Sequence, residues 1–173
     1  YVLILTVTGI IQISAEIETL KAIPAWKIGA QILSTWIFVG IGEELLFRGY
    51  ILNRLHQEFT RWSGRKRTWM AMLFSSLFFS LWHLPVRIFE LVNGESSIGL
   101  IMLSVVVLFV MALGFAWLFI RTKNIVLVGL VHGVMDFPLL GKESQLTFII
   151  LIAAIVLVEI FKLRQKKELL KNE

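Results

Sequence analysis

The sequence predicts an all-α fold, a polytopic membrane helical bundle with about six hydrophobic helices and a buried polar site. Hydrophobic residues make up 57% of the 173-residue chain and charged residues only 17%. The mean hydropathy of +0.81 lies above that of an ordinary water-soluble domain. The apolar residues form continuous runs, which favours helices over the alternating strands of a membrane barrel. Several ionisable residues fall within these runs, which indicates a polar site inside the bundle.

The hydrophobic runs place the predicted helices in order along the chain. A helix needs ~20 apolar residues to cross a ~30 Å hydrocarbon core, so the first run is short and the fifth is marginal. Pro85 follows the third run and Pro138 lies near the end of the fifth, where proline ends a helix without breaking its interior. The runs are 1–15, 28–52, 68–84, 98–120, 125–140 and 146–163. No linker or repeat divides them, so we expect one membrane-embedded domain, 1–173, with a motif-bearing core at about 28–140.

The distribution of basic residues predicts the orientation. If the runs alternate in direction, one membrane face receives the basic residues within 54–67, 121–123 and 162–171, and the other receives only Lys21, Lys27, Arg87 and Lys142. The positive-inside rule places the richer face, with the C-terminus, in the cytoplasm of a multi-pass cell-membrane protein. Anionic lipid head groups account for the net charge of +5, so no nucleic-acid partner is predicted. The chain has no cysteine, which excludes disulfides and thiolate metal ligands.

Three charged residues cluster in the string GEELLFRGY at the end of the second run. Ionisable side chains at bilayer depth cost at least ~3 kcal/mol each on insertion scales, so they persist mainly where they face a protein interior. On a helix Glu44 and Arg48 form an i,i+4 pair, whereas Glu43 is rotated by ~100° and stays free for another task. The pattern predicts that the Glu44 carboxylate is fixed in an ion pair and that the Glu43 carboxylate is available for a chemical role.

Two histidines lie in later apolar runs, His83 at the end of FSLWH and His132 at the start of HGVMD, which ends in Asp136. A single histidine on an apolar helix is more often an interhelical hydrogen-bonding residue than a functional one. Together with the glutamates and the arginine, however, they place ionisable groups on three different helices. We therefore predict that they meet in one functional pocket, with a buried structural network as the alternative.

These strings also carry a family resemblance. EELLFR fits EExxxR, FSLWH fits FxxxH and HGVMD fits HxxxN/D, in that order and each on its own hydrophobic run. This arrangement resembles the CPBP family of intramembrane proteases, whose eukaryotic relatives are the type II CAAX prenyl endopeptidases. Many bacterial members resemble bacteriocin-immunity or abortive-infection (Abi) proteins. The resemblance implies an α-helical intramembrane endopeptidase that cleaves near the cytoplasmic face.

The resemblance also implies roles for the site residues. Glu43 would be the base that activates water, His83 would share that water, and Glu44 with Arg48 would be the supporting pair. His132 and position 136 would contact the substrate or the oxyanion. An ionised Asp136 cannot donate a hydrogen bond, so we expect it to orient His132 unless it is protonated or metal-bound. A rise of 1.5 Å per residue places His83 nearer the opposite membrane face than Glu43 and His132.

Three alternatives remain open at this point. Glu43, His83 and His132 could bind zinc with water at a fourth position, although HExxH is missing. We favour the metal-free mechanism and no cofactor, because adjacent glutamates suit a base and its partner better than a metal cage. A transporter or a non-catalytic immunity or scaffold protein would also keep these groups inside a bundle. The expected partners are the lipid bilayer and a membrane-associated or lipidated peptide or protein substrate.

Overall fold

The computed structural model describes residues 23–136 and 146–169, and both ranges are helical without any strand. This confirms the all-α fold. The predicted run at 1–15 and Pro138 lie outside the described residues. The helices are α1 (Ala25–Glu58), α2 (Gly64–Trp82), α3 (Leu84–Val92), α4 (Ile98–Thr122), α5 (Ile125–Asp136) and α6 (Leu146–Leu169).

Three helical segments of the described chain are long and apolar enough to cross a membrane. They are Ala25–Glu58, Gly64–Val92 and Ile98–Thr122, and α5 is a shorter apolar helix. Large apolar side chains such as Phe38, Phe89 and Leu103 point outward from these segments. Such a surface suits lipid rather than water, so the chain is a membrane protein.

Helix α1 is wound more widely on both sides of its glutamate pair. The turn Gly42–Glu44 is α-helical, whereas Leu33–Ile41 and Leu45–Leu52 are π-helical. Side chains bond backbone carbonyls of the second π segment: Ser75 donates to the Phe47 carbonyl (2.8 Å) and Asn53 to the Gly49 carbonyl (2.7 Å). Segments of π-helix occur frequently at functional sites, and here they flank the turn that carries Glu43 and Glu44.

Helix α2 ends in a bend at His83, and the short helix α3 follows. Pro85 lies in the first turn of α3, where its missing N–H costs nothing but α2 cannot continue through it. The hydrophobic runs did not predict α3, because Arg87 and Glu90 interrupt the pattern. In the structure these two side chains pair with each other at 2.9 Å. The bend leaves His83 at the junction of two helices.

Helices α1 and α5 approach until their backbones touch. A Cβ atom added to Gly40 would lie 2.3 Å from the Gly129 carbonyl oxygen, and one added to Gly133 would lie 2.4 Å from the Trp36 Cα. Only glycine fits at such a crossing, and Gly129 and Gly133 have the GxxxG spacing typical of close helix pairs in membranes. This contact brings the middle of α5 against the part of α1 that directly precedes the glutamate-bearing turn.

The buried apolar residues lie mainly where α4 meets its neighbours. Phe115, Leu118 and Phe119 of α4 pack with Val128 of α5 and Leu151 of α6. A second cluster joins α1, α2 and α4 through Phe47, Phe79 and Ala112. The two clusters enclose the polar residues that α1 and α5 bring together.

Candidate active site

A network of charged side chains lies buried between α1, α4 and α5. Its centre is Glu44, which is completely buried. One carboxylate oxygen, Oε1, lies 3.0 Å from Nδ1 of His132, and the other, Oε2, lies 3.1 Å from Nε of Arg48. The predicted contact between Glu44 and Arg48 is therefore present, and both oxygens of this carboxylate face a nitrogen of a neighbouring side chain.

Arg48 is also completely buried, so its charge must be balanced inside the protein. Besides the ion pair with Glu44, its Nη2 donates to the Ala112 carbonyl oxygen at 2.8 Å. The guanidinium carbon lies 4.7 Å from the centre of the Phe79 ring and 5.5 Å from that of Phe115. These distances are those of cation–π interactions, which strengthen when the cation is removed from water.

His132 has a carboxylate at each ring nitrogen. Its Nδ1 faces Glu44, and its Nε2 lies 3.2 Å from Oδ2 of Asp136, one turn later on α5. A neutral imidazole has only one N–H, so both contacts are donated hydrogen bonds only when the ring carries two protons. The structure thus contains the predicted contact between Asp136 and His132 and favours an imidazolium between two carboxylates.

Glu43 differs from its neighbour Glu44 in both exposure and contacts. Its side chain is 23% exposed, and its Oε2 lies 3.9 Å from Nε2 of His132. That oxygen accepts no hydrogen bond from the residues that the structure describes. This oxygen is itself buried, so Glu43 borders the network with a partly exposed side chain whose Oε2 lies inside the protein.

His83 is attached to this network only indirectly. Its Nδ1 donates to the Phe79 carbonyl at 2.9 Å, since a carbonyl can only accept, and the neutral ring then keeps Nε2 as an acceptor. The Phe79 ring lies between the two histidines, 4.9 Å from the centre of His83 and 5.6 Å from that of His132. His83 interacts electrostatically with Glu43 but forms no hydrogen bond to it within the described chain.

The candidate zinc ligands are not assembled as a metal site. Across residues 23–136 and 146–169, no group of three or more His, Cys, Asp or Glu side chains is placed to hold a metal ion. Both ring nitrogens of His132 already face carboxylates, and within the described chain His83 forms no hydrogen bond to Glu43 or His132. Glu43, His83 and His132 therefore do not fit zinc in this arrangement.

Two contributors from α4 carry no sequence signal that identifies them. Ala112 acts through its backbone carbonyl, which every residue possesses. Phe115 stacks on His132 with ring centres 4.8 Å apart and planes 23° apart, but it is one of many phenylalanines in the chain. The close crossing of α1 and α5 is different, because the GxxxG spacing of Gly129 and Gly133 indicates it.

Comparison with known families gives a family assignment for the chain. The family model described as Rce1-like, type II CAAX prenyl endopeptidase Rce1-like, matches residues 25–138, well over half of the chain. Comparison with curated proteins gives no match, and neither does comparison with solved structures. The matched range contains all of the predicted site residues and the helices α1 to α5. The chain belongs to the Rce1-like family of type II CAAX prenyl endopeptidases.

Proposed function

We propose that this protein is an intramembrane endopeptidase in which Glu43 activates the water that attacks a peptide bond. The difference between the two adjacent glutamates carries the proposal. Glu44 is fully buried with both oxygens engaged, whereas Glu43 is partly exposed and keeps one oxygen without a hydrogen-bond donor from the described residues. A general base needs a carboxylate that water can approach and that neighbouring donors do not already occupy, and Glu43 meets both conditions better than Glu44.

In the proposed reaction, the Glu43 carboxylate takes a proton from water while the water oxygen bonds to the substrate carbonyl carbon. The carbonyl π electrons move to its oxygen and form a tetrahedral oxyanion. When the C–N bond breaks, the electron pair of that bond goes to nitrogen, which receives the proton from Glu43. Glu43 regains its charge, and the products are a carboxylic acid and an amine.

His132 and His83 take different parts in this mechanism. Nε2 of His132 is the nitrogen nearest Glu43, at 3.9 Å, which supports a role for its N–H in stabilising the oxyanion. Asp136 orients the ring and, with a side chain that is 39% exposed, has room to release Nε2 when the substrate binds. His83 uses the nitrogen not engaged with the Phe79 carbonyl to hold the attacking water.

The substrate class follows from where the site lies. We propose a membrane-associated or lipidated peptide or protein, because the site residues lie on helices whose outer surfaces suit lipid. In the proposed orientation the protein crosses the cell membrane several times, and the α1–α2 connection faces the cytoplasm. Arg61 is exposed in that connection, and Arg65 and Lys66 are exposed in the first turn of α2, which supports this direction. A role in bacteriocin immunity would use the same hydrolysis.

Peptide cleavage by the detergent-purified protein tests the proposal. The substrates are a fluorogenic peptide library that includes prenylated C-terminal peptides, and the variants are Glu43→Gln and, as control, Glu95→Gln, which alters an exposed glutamate outside the site. We expect cleavage by the parent and the control but a loss of at least about a hundredfold in Glu43→Gln, the usual contribution of a general base.

The same assay separates the alternatives. Full activity after a metal chelator has reached equilibrium supports the metal-free mechanism, and loss of activity that added zinc restores would contradict it. If the folded parent cleaves no peptide in the library, the endopeptidase proposal fails. A scaffold or transporter function is then favoured, and the next measurement is ion or solute flux across the membrane of liposomes that contain the protein.

A further inference from the structure

We propose that Phe115 is a positioning residue of this site and that the face of its ring holds both His132 and Arg48 as cations. The inference rests on the proposed function for its effect on turnover. Its structural content, the orientation of His132, can be measured without any substrate. Nothing in the family motifs of the sequence includes Phe115 or any other residue of α4.

The first observation is the geometry of the two aromatic rings that enclose the charged groups. Phe115 stacks on the His132 imidazole, with centres 4.8 Å apart and planes within 23°, and Phe79 meets the same imidazole edge-on at 5.6 Å. The Arg48 guanidinium carbon lies 5.5 Å from the Phe115 centre and 4.7 Å from the Phe79 centre. One phenyl ring of α4 therefore contacts both cations that flank Glu44.

The second observation is how few hydrogen bonds hold Arg48. Its Nη2 donates to the Ala112 carbonyl, one turn before Phe115 on α4. Its Nη1 and Nε are buried, and neither donates a well-aligned hydrogen bond to any residue that the structure describes, although Nε lies in the ion pair with Glu44. The aromatic faces are therefore a main restraint on the guanidinium, and a flat ring restrains its orientation as a branched aliphatic side chain cannot.

The third observation separates this role from ordinary core packing. Phe119, one turn later on the same helix, is also buried and belongs to the same apolar cluster as Phe115. Its ring lies near Lys123 at the end of α4, and no contact joins it to His132 or Arg48 in the described chain. Phe119→Leu is therefore a matched control for Phe115→Leu, with the same substitution, helix and burial.

Turnover is the first test. Phe115 is 1% exposed, so it does not meet the substrate, and we expect Phe115→Leu to lower kcat with little change in KM. The expected loss is about ten- to a hundredfold, since displacing catalytic groups by about 1 Å can cost a hundredfold. Phe119→Leu should keep the parental kcat. Equal kcat values for Phe115→Leu and the parent, or equal losses in the two leucine variants, would overturn the proposal.

A second variant covers the case in which Phe115→Leu does not fold. Replacing Phe115 by 3,4,5-trifluorophenylalanine keeps a flat ring but weakens the negative potential of its face, on which cation–π attraction depends. We expect a lower kcat at unchanged thermal stability. An unchanged kcat in this folded variant would overturn the assignment.

The third measurement distinguishes failure of this inference from failure of the proposed function. In protein labelled with ¹⁵N-histidine, the His132 ring signals are identified by their loss in His132→Gln. We expect these signals to shift in both Phe115 variants and to stay in place in Phe119→Leu. If the parent hydrolyses no peptide but the shifts occur, the proposed function fails and the positioning role stands. If hydrolysis occurs but the signals do not move, the positioning role fails.

Discussion

Replacing Gly40 by alanine is expected to disable the site without touching any charged residue. The added Cβ would lie 2.3 Å from the Gly129 carbonyl oxygen and 2.8 Å from the Gly133 backbone nitrogen, whereas ordinary contacts begin at 3.4 Å. Both neighbours are backbone atoms, so no side chain can turn away to make room. Helices α1 and α5 must therefore separate locally by about 1 Å, the shortfall at the shortest contact.

This separation would act directly on the contacts across the helix pair. Glu44 on α1 lies 3.0 Å from His132 on α5, and a further 1 Å would break the hydrogen bond. A misplacement of this size is expected to lower kcat by about a hundredfold. Overpacking should also destabilise the fold by about 1–3 kcal/mol, which a thermal unfolding curve in detergent can detect.

The control is Gly42→Ala on the same helix. A Cβ atom at Gly42 would meet nothing within 4 Å, and alanine is favoured over glycine in a helix by up to ~1 kcal/mol. Gly42→Ala should therefore be at least as stable as the parent and equally active in the peptide assay. If Gly40→Ala matches Gly42→Ala in both stability and kcat, the reasoning from the close helix crossing is refuted.

Substitutions at two further positions test the charged network. Arg48→Lys keeps the charge but removes the planar fork that reaches both Glu44 and the Ala112 carbonyl, and we expect destabilisation of about 1–3 kcal/mol, as for a buried polar group that loses its hydrogen bond, seen as a lower unfolding temperature. Arg54→Lys, in a solvent-exposed pair with Glu58, should change stability by less than about 1 kcal/mol, and equal effects at both positions would contradict this. Asp136→Asn keeps an oxygen that can accept a hydrogen bond from Nε2 of His132, so its kcat should change little. Asp136→Leu removes that acceptor, and its kcat should fall by about tenfold or more because a hydrogen bond to a charged group contributes about 1.5–3 kcal/mol. Equal kcat values for the two variants would exclude the orienting role.

The parts of the site that the sequence predicted are those set by local helix geometry. Glu44 with Arg48 and His132 with Asp136 are i,i+4 pairs, and such pairs meet on any helix regardless of what surrounds it. The contact between Glu44 and His132 spans 88 positions, so the sequence could predict only that both belong to a common pocket. The long apolar runs predicted the spanning helices for a similar reason, because hydrophobic length is a property of the segment itself.

The parts that the sequence did not predict depend on tertiary contacts. The Ala112 carbonyl accepts a hydrogen bond from Arg48 only because α4 packs against α1 at the level of Arg48. Phe115 has no polar atom, and its role comes from the two cationic side chains that lie close to its ring. The π-helical segments of α1 have no hydrophobic period of their own that would reveal them in the sequence. One of their carbonyl oxygens, that of Phe47, accepts a hydrogen bond from Ser75 on another helix.

The order of charges along the network supports Glu43 as the base. Arg48, Glu44, His132 and Asp136 form a continuous chain in which cation and anion alternate when His132 carries two protons. In that chain each carboxylate has its own cation, which offsets much of the cost of keeping the buried Glu44 away from water. Glu43 stands beside the chain as the additional carboxylate, with its nearest cation, the His132 ring, already shared between two others. Among the three carboxylates it is the one whose protonation leaves every ion pair of the chain intact, which is what a base that gains and loses a proton in each turnover requires.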